Sequence, residues 1–139
     1  MIQSTRKKMK QHIFAALGYI AATFATQATS HFLLFKEHYA AVSHIKNEPI
    51  FALGITAMII EGIIISVVYA SSRFSGKTIF DALKLTWLFG AFLVSYVGLA
   101  EAAKYTVPNT LSWIGVEFLS GTIQFTLAGI LLWLAHRAK

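Results

Sequence analysis

Four long apolar segments divide the chain, and short polar connections separate them. We place the segments at residues 13–35, 50–70, 79–100 and 111–135. Each is close to the ~20 residues that a helix needs to cross ~30 Å of hydrocarbon. The apolar positions run on without the alternation of barrel strands. The pattern predicts an all-α integral membrane protein with a single domain, an antiparallel bundle of four transmembrane helices.

The composition agrees with lipid as the solvent. Hydrophobic residues make up 56% of the 139-residue chain and charged residues only 13%, whereas soluble domains carry about 25%. The net charge of +6 is spread over the ends of the apolar segments, so we expect no nucleic-acid partner. The chain has no cysteine, which excludes disulfides, iron–sulfur clusters and thiolate zinc sites.

The positions of Lys and Arg predict the orientation in the membrane. Nine of the 12 flank one set of segment ends: Arg6, Lys7, Lys8, Lys10, Arg73, Lys77, Lys84, Arg137 and Lys139. The opposite ends carry Lys36, Lys46 and Lys104. Because short cytoplasmic loops are the basic ones, we expect both termini in the cytoplasm. The simplest location is the bacterial inner (plasma) membrane, as a multi-pass protein.

Three carboxylates lie in or at the edge of the apolar segments, namely Glu61, Glu101 and Glu117. Glu61 is near the middle of the second predicted helix, where an acid costs roughly 2.5–3.5 kcal/mol on insertion scales. Such a residue usually faces the interior of the bundle and has a role there. Glu101 is at the outer mouth of the third helix.

Polar and small residues form stripes on the first and fourth predicted helices. The stripes consist of Thr23, Gln27 and His31, and of Glu117, Gly121, Gln124 and Ala128. Residues spaced by three or four positions share a helix face, and such stripes pack inward in membranes. We therefore predict a polar seam that runs from the external face toward the midplane.

The seam has two interpretations. It is a proton or cation site with the glutamates as carriers, or a set of hydrogen bonds that hold the helices together at ~1–2 kcal/mol or less each. The candidate binding or ion-coupling residues are Glu61, Glu117, Gln27, His31, Glu101 and Gln124.

Histidines raise the question of a metal or cofactor. His31, His38 and His44 cluster near the outer surface, and imidazole suits zinc or copper(II). Their spacing matches no metal signature, so they are weak candidates beside ordinary interfacial histidines. His12 and His136, at the cytoplasmic ends of the first and fourth helices, are placed as axial haem ligands would be. The cofactor stays open.

Nothing in the chain predicts an enzyme. It has neither the Gly-x-Ser-x-Gly elbow nor the His-Glu-x-x-His zinc motif, which would mark a nucleophile or a catalytic metal. We assign no catalytic residue.

The leading functional hypothesis is a small transporter or channel for a small solute, cation or proton. Four short helices enclose little space, so it implies a homodimer or larger. In size and in its membrane-embedded glutamate the chain resembles the small multidrug-resistance transporters. It departs from them because their essential glutamate is in the first helix, which has no glutamate here. The alternative is a non-catalytic accessory or assembly subunit of a larger membrane complex with partner membrane subunits, and a lesser one is a metal- or haem-binding membrane protein.

Overall fold

The structure is a computed structural model that describes residues 2–42, 46, 48–73, 75 and 77–137. All regular structure in these ranges is helical. The elements are α1 (Ile2–Thr29) with a π-helical turn (Ser30–Leu34), α2 (Lys36–Ala40), α3 (Phe51–Ser71), α4 (Ile79–Ser95) with a π-helical turn (Tyr96–Glu101), α5 (Ala102–Lys104) and α6 (Thr110–His136).

Three helical stretches are long and apolar enough to cross a membrane. They are Phe51–Ser71, Ile79–Lys104 and Thr110–His136, so the prediction of an all-helical membrane protein is confirmed at this level. Helix α1 does not join them, because its first turns are basic and its second half carries Thr23, Thr26 and Gln27. The count of four spans and the orientation stay predictions.

The helix ends follow local chemistry. The side chain of Thr78 accepts a hydrogen bond from the backbone N–H of Asp81 and caps α4. Asn109 does the same for Ser112 at the start of α6, at 2.9 Å; such caps satisfy backbone donors that a helix start leaves open. Helix α1 begins at Ile2, well before the apolar segment, since Lys and Arg are good helix formers.

The helices pack side by side in the order α3, α1, α6, α4. Helix α1 packs against both α3 and α6, while α3 and α4 have few contacts with each other. The main core lies along α1 and α6, where Tyr19, Phe125 and Leu132 are buried. A gap therefore remains between α3 and α4.

Close approach of α1 and α3 depends on Gly62. A Cβ atom at this position would lie 3.1 Å from both the Cα and the carbonyl oxygen of Ala16. Both atoms belong to backbone, which cannot rotate away. The contact brings α3, and with it Glu61, against α1.

A second, smaller core lies at the opposite end from the N-terminus. Tyr39 and Val42, in and just after α2, are buried against Trp113 and Val116 of α6. The indole N–H of Trp113 donates to the carbonyl oxygen of Val97 at 3.1 Å. Helix α2 is thus folded back against α6.

Candidate functional site

Hydrogen-bonded polar side chains join α1, α3 and α6 in the middle of the structure. The amide nitrogen of Gln124 donates to Thr23 Oγ1 at 3.1 Å, and the amide of Gln27 donates to Gln124 Oε1 at 2.7 Å. The same Gln124 nitrogen lies 3.5 Å from the Tyr19 hydroxyl. That hydroxyl donates to Glu61 Oε2 at 2.9 Å. We call these five residues the inner group.

Glu61 occupies the edge of a cavity between α3 and α4. The cavity has a volume of about 300 Å³, and Tyr19 and Glu61 supply its polar atoms. The other walls are apolar and include Phe89, Phe92 and Leu93. Glu61 is half-buried. Its carboxyl therefore contacts a neighbouring helix and also borders open space.

A second set of hydrogen bonds surrounds Glu117. Its Oε1 accepts from the Tyr39 hydroxyl at 2.7 Å. The Ser30 hydroxyl lies 3.5 Å from the Tyr39 hydroxyl and 2.9 Å from that of Ser120. Burial raises the pKa of Tyr39, and its hydrogen bond to Glu117 raises that pKa further. Glu117, Tyr39, Ser30 and Ser120 form the outer group, and all four are buried.

His31 lies between the two groups. Its Nδ1 is 3.1 Å from the carbonyl oxygen of Gln27, so it donates there in the tautomer with a proton on Nδ1. Its ring stacks on that of Tyr39, with centroids 3.6 Å apart and planes at 13°. His31 thus links the two groups through the backbone carbonyl of Gln27 and the stacked ring of Tyr39.

The two glutamates do not share a site. Each has its own tyrosine donor, and Gln124 of the inner group lies two turns beyond Glu117 on α6. Two turns correspond to roughly 10 Å along a helix axis. The arrangement is a pair of separate tyrosine–glutamate contacts on one seam.

Two π-helical turns follow the C-terminal ends of α1 and α4, at Ser30–Leu34 and Tyr96–Glu101. Such turns are rare and frequent at functional sites. The first contains Ser30 and His31. The second contains Gly98, where an added Cβ would lie 3.6 Å from the Cβ of Glu117. Both irregular turns therefore border the outer group.

The structure does not connect Glu101 to the seam by hydrogen bonds. It closes the second π-helical turn and is half-buried. Its backbone carbonyl accepts from the N–H of Tyr105 at 2.8 Å, and its carboxyl lies close enough to Glu117 to interact with it electrostatically.

Of the three histidines that are weak candidates for a metal site, the structure describes His31 and His38. The ring of His38 stacks near that of Trp113 at 5.8 Å, and its Nδ1 lies 3.5 Å from Ser112 Oγ. His44 lies outside the described residues. Within residues 2–42, 46, 48–73, 75 and 77–137, no group of three or more His, Cys, Asp or Glu is placed to hold a metal ion.

His12 and His136 lie close together, as their positions at matching ends of the first and fourth predicted helices indicate, and Ser66 connects the two rings. The Ser66 hydroxyl is 2.9 Å from His12 Nδ1 and 3.1 Å from His136 Nε2. The two ring centroids are 5.5 Å apart. A haem between the rings would have to displace Ser66, which is fully buried.

Three hydroxyl groups of the seam, those of Tyr19, Tyr39 and Ser120, are not among the residues predicted from the sequence. Tyr19 stands four residues before Thr23, so it extends the first stripe by one turn, and Ser120 precedes Gly121 on the second. Both signals were available, since spacing alone assigns these residues to the stripes. Tyr39 had no such signal, because it reaches Glu117 only through the folding back of α2.

No protein-family model, curated protein or solved structure matches this chain.

Proposed function

We propose that the protein is a small membrane transporter in which Glu61 binds and releases a proton or a cation at the cavity between α3 and α4. The observation that carries this proposal is the position of Glu61. It is the carboxylate on the wall of an otherwise apolar cavity, and the Tyr19 hydroxyl holds it at 2.9 Å.

A charge on Glu61 is costly in this cavity. An ionised carboxylate away from water is unfavourable unless it is paired or hydrogen-bonded. One hydrogen bond from Tyr19 satisfies part of the carboxyl group, and the cavity leaves room for a proton or a cationic solute. Acids embedded in membranes mark ion and proton pathways. Glu61 is the carrier in this proposal, and Tyr19 and Gln124 position it.

The same proposal includes four membrane spans with both termini in the cytoplasm, in the bacterial inner membrane. Three basic segments lie at one end of the structure in support of it. Arg6 of the N-terminal segment and Arg137 of the C-terminal segment line one groove. Lys8 of the N-terminal segment and Ser75 of the α3–α4 connection line a neighbouring cavity. An end that gathers the N-terminus, the C-terminus and the α3–α4 connection is the cytoplasmic end by the distribution of bases.

The proposed assembly is a homodimer or larger. In the most apolar stretch of α3 only 17% of the residues are buried, against 39% for α6. Ile59, Ile60 and Ile63 stay exposed. A second copy that packs on α3 would close the gap beside Glu61 and complete the cavity.

The test is dissipation of a pH gradient by purified protein in liposomes, followed with an entrapped pH-sensitive dye and with Na⁺, K⁺ or tetraethylammonium supplied in turn. Wild type is expected to dissipate the gradient with at least one cation. Glu61→Gln is expected to fall to the rate of empty liposomes. Glu48→Gln, at an exposed carboxylate, serves as the matched control and is expected to equal wild type. Equal rates for Glu61→Gln and wild type would exclude Glu61 as carrier.

The second candidate is an accessory or assembly subunit of a larger membrane complex. The low burial of α3 supports this candidate, because a partner subunit could bury the exposed face of that helix. In this reading the tyrosine–glutamate pairs only hold helices together. Co-purification of another membrane protein at fixed stoichiometry in mild detergent is expected for a subunit. A homogeneous oligomer of this chain alone is expected for the transporter.

The metal- or haem-binding alternative ranks last. It predicts stoichiometric metal or a Soret band in the purified protein. Elemental analysis and an absorption spectrum test it directly.

A further inference from the structure

A strongly basic groove lies between the first turns of α1 and the end of α6. Arg6, Lys7, Lys10 and Arg137 line it, and its volume is about 620 Å³. All four side chains are exposed. Among the described residues no carboxylate lines the groove, and none forms an ion pair with these bases. Within this part of the chain, four cations therefore face one space with no carboxylate opposite them.

The lower wall of the groove is apolar. Phe14 and Leu134 line it, and they are 63% and 40% exposed. Phe14 follows Lys10 by one turn of α1, which is roughly 6 Å deeper along the helix axis. The groove thus has a cationic layer and, one turn beyond, an apolar layer that begins the predicted span.

We propose that this groove binds an acidic phospholipid. Its phosphate would lie among Lys7, Lys10 and Arg137, and an acyl chain would run along Phe14 and Leu134. This distribution of charge and apolar surface matches the order of groups in a lipid. Basic pockets between membrane helices on the cytoplasmic side suit anionic headgroups, and Arg and Lys bind phosphate with charge-assisted hydrogen bonds. The proposal is independent of any role for Glu61.

Native mass spectrometry of the full-length protein in mild detergent tests it. The protein is mixed with equal amounts of phosphatidylglycerol and phosphatidylcholine, and the lipid that stays bound is counted. Wild type is expected to retain phosphatidylglycerol with about tenfold preference. The groove variant Lys7→Gln/Lys10→Gln/Arg137→Gln is expected to lose roughly 100-fold in affinity, at about fivefold per base.

The matched control is Lys8→Gln/Lys77→Gln/Lys84→Gln. It removes three bases from the same end of the molecule but none from the groove. Both triple variants therefore lower the net charge, and the basic charge that sets membrane orientation, by the same amount. We expect it to retain phosphatidylglycerol within about threefold of wild type. Circular dichroism and gel filtration check that both variants fold. If the groove variant does not fold, Lys10→Gln is compared with Lys8→Gln, and about a fivefold difference is expected.

Three results would overturn the proposal. Equal losses in the two variants would indicate general surface charge instead of a site. Equal retention of both lipids by wild type would show that the charge of the headgroup does not determine binding. Thermal stabilisation by inorganic phosphate alone that equals the effect of phosphatidylglycerol would indicate a site for a free anion.

Discussion

The hydroxyl of Tyr39 donates a hydrogen bond of 2.7 Å to Oε1 of Glu117, a residue 78 positions away along the chain. This contact fixes the short helix α2 on α6 and gives a buried acid its donor. The stacked ring of His31 covers the other side of Tyr39. The outer end of the seam is therefore closed by a residue from the connection after α1.

Removing this donor is expected to destabilise the fold. Tyr39→Phe leaves the carboxyl of Glu117 buried without its donor, which costs about 1–3 kcal/mol of the free energy of unfolding. Unfolding by sodium dodecyl sulfate in mixed micelles measures it. The control is Tyr96→Phe, at a tyrosine that is 53% exposed, and we expect it to match wild type. Equal stability of Tyr39→Phe and Tyr96→Phe would show that the contact contributes nothing.

The raised pKa of Tyr39 predicts that the stability of the fold decreases at alkaline pH. Burial raises the pKa of Tyr39 in the folded protein above its ordinary value of about 10. The folded state therefore holds this proton more tightly than the unfolded state. The resulting stability is fully present below about pH 10 and is lost as the pH rises further. The difference in unfolding free energy between wild type and Tyr39→Phe is expected to shrink above about pH 10; a difference that grows there would contradict the assignment.

The contact of α4 with α6 requires a small residue at Gly121. A Cβ there would overlap a methyl group of Val94, whereas a Cβ at Gly115 on the same helix meets nothing within 4 Å. Valine is stiff about its first side-chain torsion, so Gly121→Ala is expected to cost about 1–3 kcal/mol. Gly115→Ala is expected to be neutral or slightly stabilising, since alanine favours helix. Thermal unfolding of the two variants in detergent compares them. A loss of stability confined to Gly115→Ala would mean that the helices pack differently.

Reporter fusions test the number of spans. With four spans and cytoplasmic termini, a fluorescent protein fused after Lys139 is expected to fluoresce, and alkaline phosphatase fused there is expected to be inactive. Alkaline phosphatase fused after Glu48 is expected to be active. Inactive phosphatase after Glu48 and active phosphatase after Lys139, with a fluorescent protein fused to the N-terminus still fluorescent, would support three spans, with α1 outside the hydrocarbon.

The apolar pattern was sufficient to predict three of the long helices within a few residues. The segment at 50–70 corresponds to Phe51–Ser71, and that at 111–135 to Thr110–His136. The first helix begins at Ile2 and not at residue 13. Hydropathy indicates which residues can lie in lipid, whereas the helical backbone extends beyond them. The π-helical turns had no signal in the sequence, since they arise from packing at the outer ends.

The seam was predictable in part for the same reason. Gln27 and Gln124 were placed on facing stripes by spacing alone, and they bond at 2.7 Å. The spacing of the first stripe includes Tyr19, one turn before Thr23, whereas Tyr39 reaches Glu117 only because α2 folds back on α6. The separation of Glu61 from Glu117 depends on which turn of α1 packs against which turn of α6, and periodicity does not fix that register.

In the proposed transporter, Glu61 gains and loses its proton, directly or in exchange for a cation, at the cavity it shares with Tyr19. Infrared difference spectroscopy in lipid, with isotopically labelled glutamate and stepped pH, measures the protonation of carboxyl groups directly. We predict a labelled carboxyl band that changes with pH in wild type and in Glu48→Gln and is missing in Glu61→Gln. An identical set of titrating bands in Glu61→Gln would show that Glu61 never changes its protonation and would contradict the proposed role.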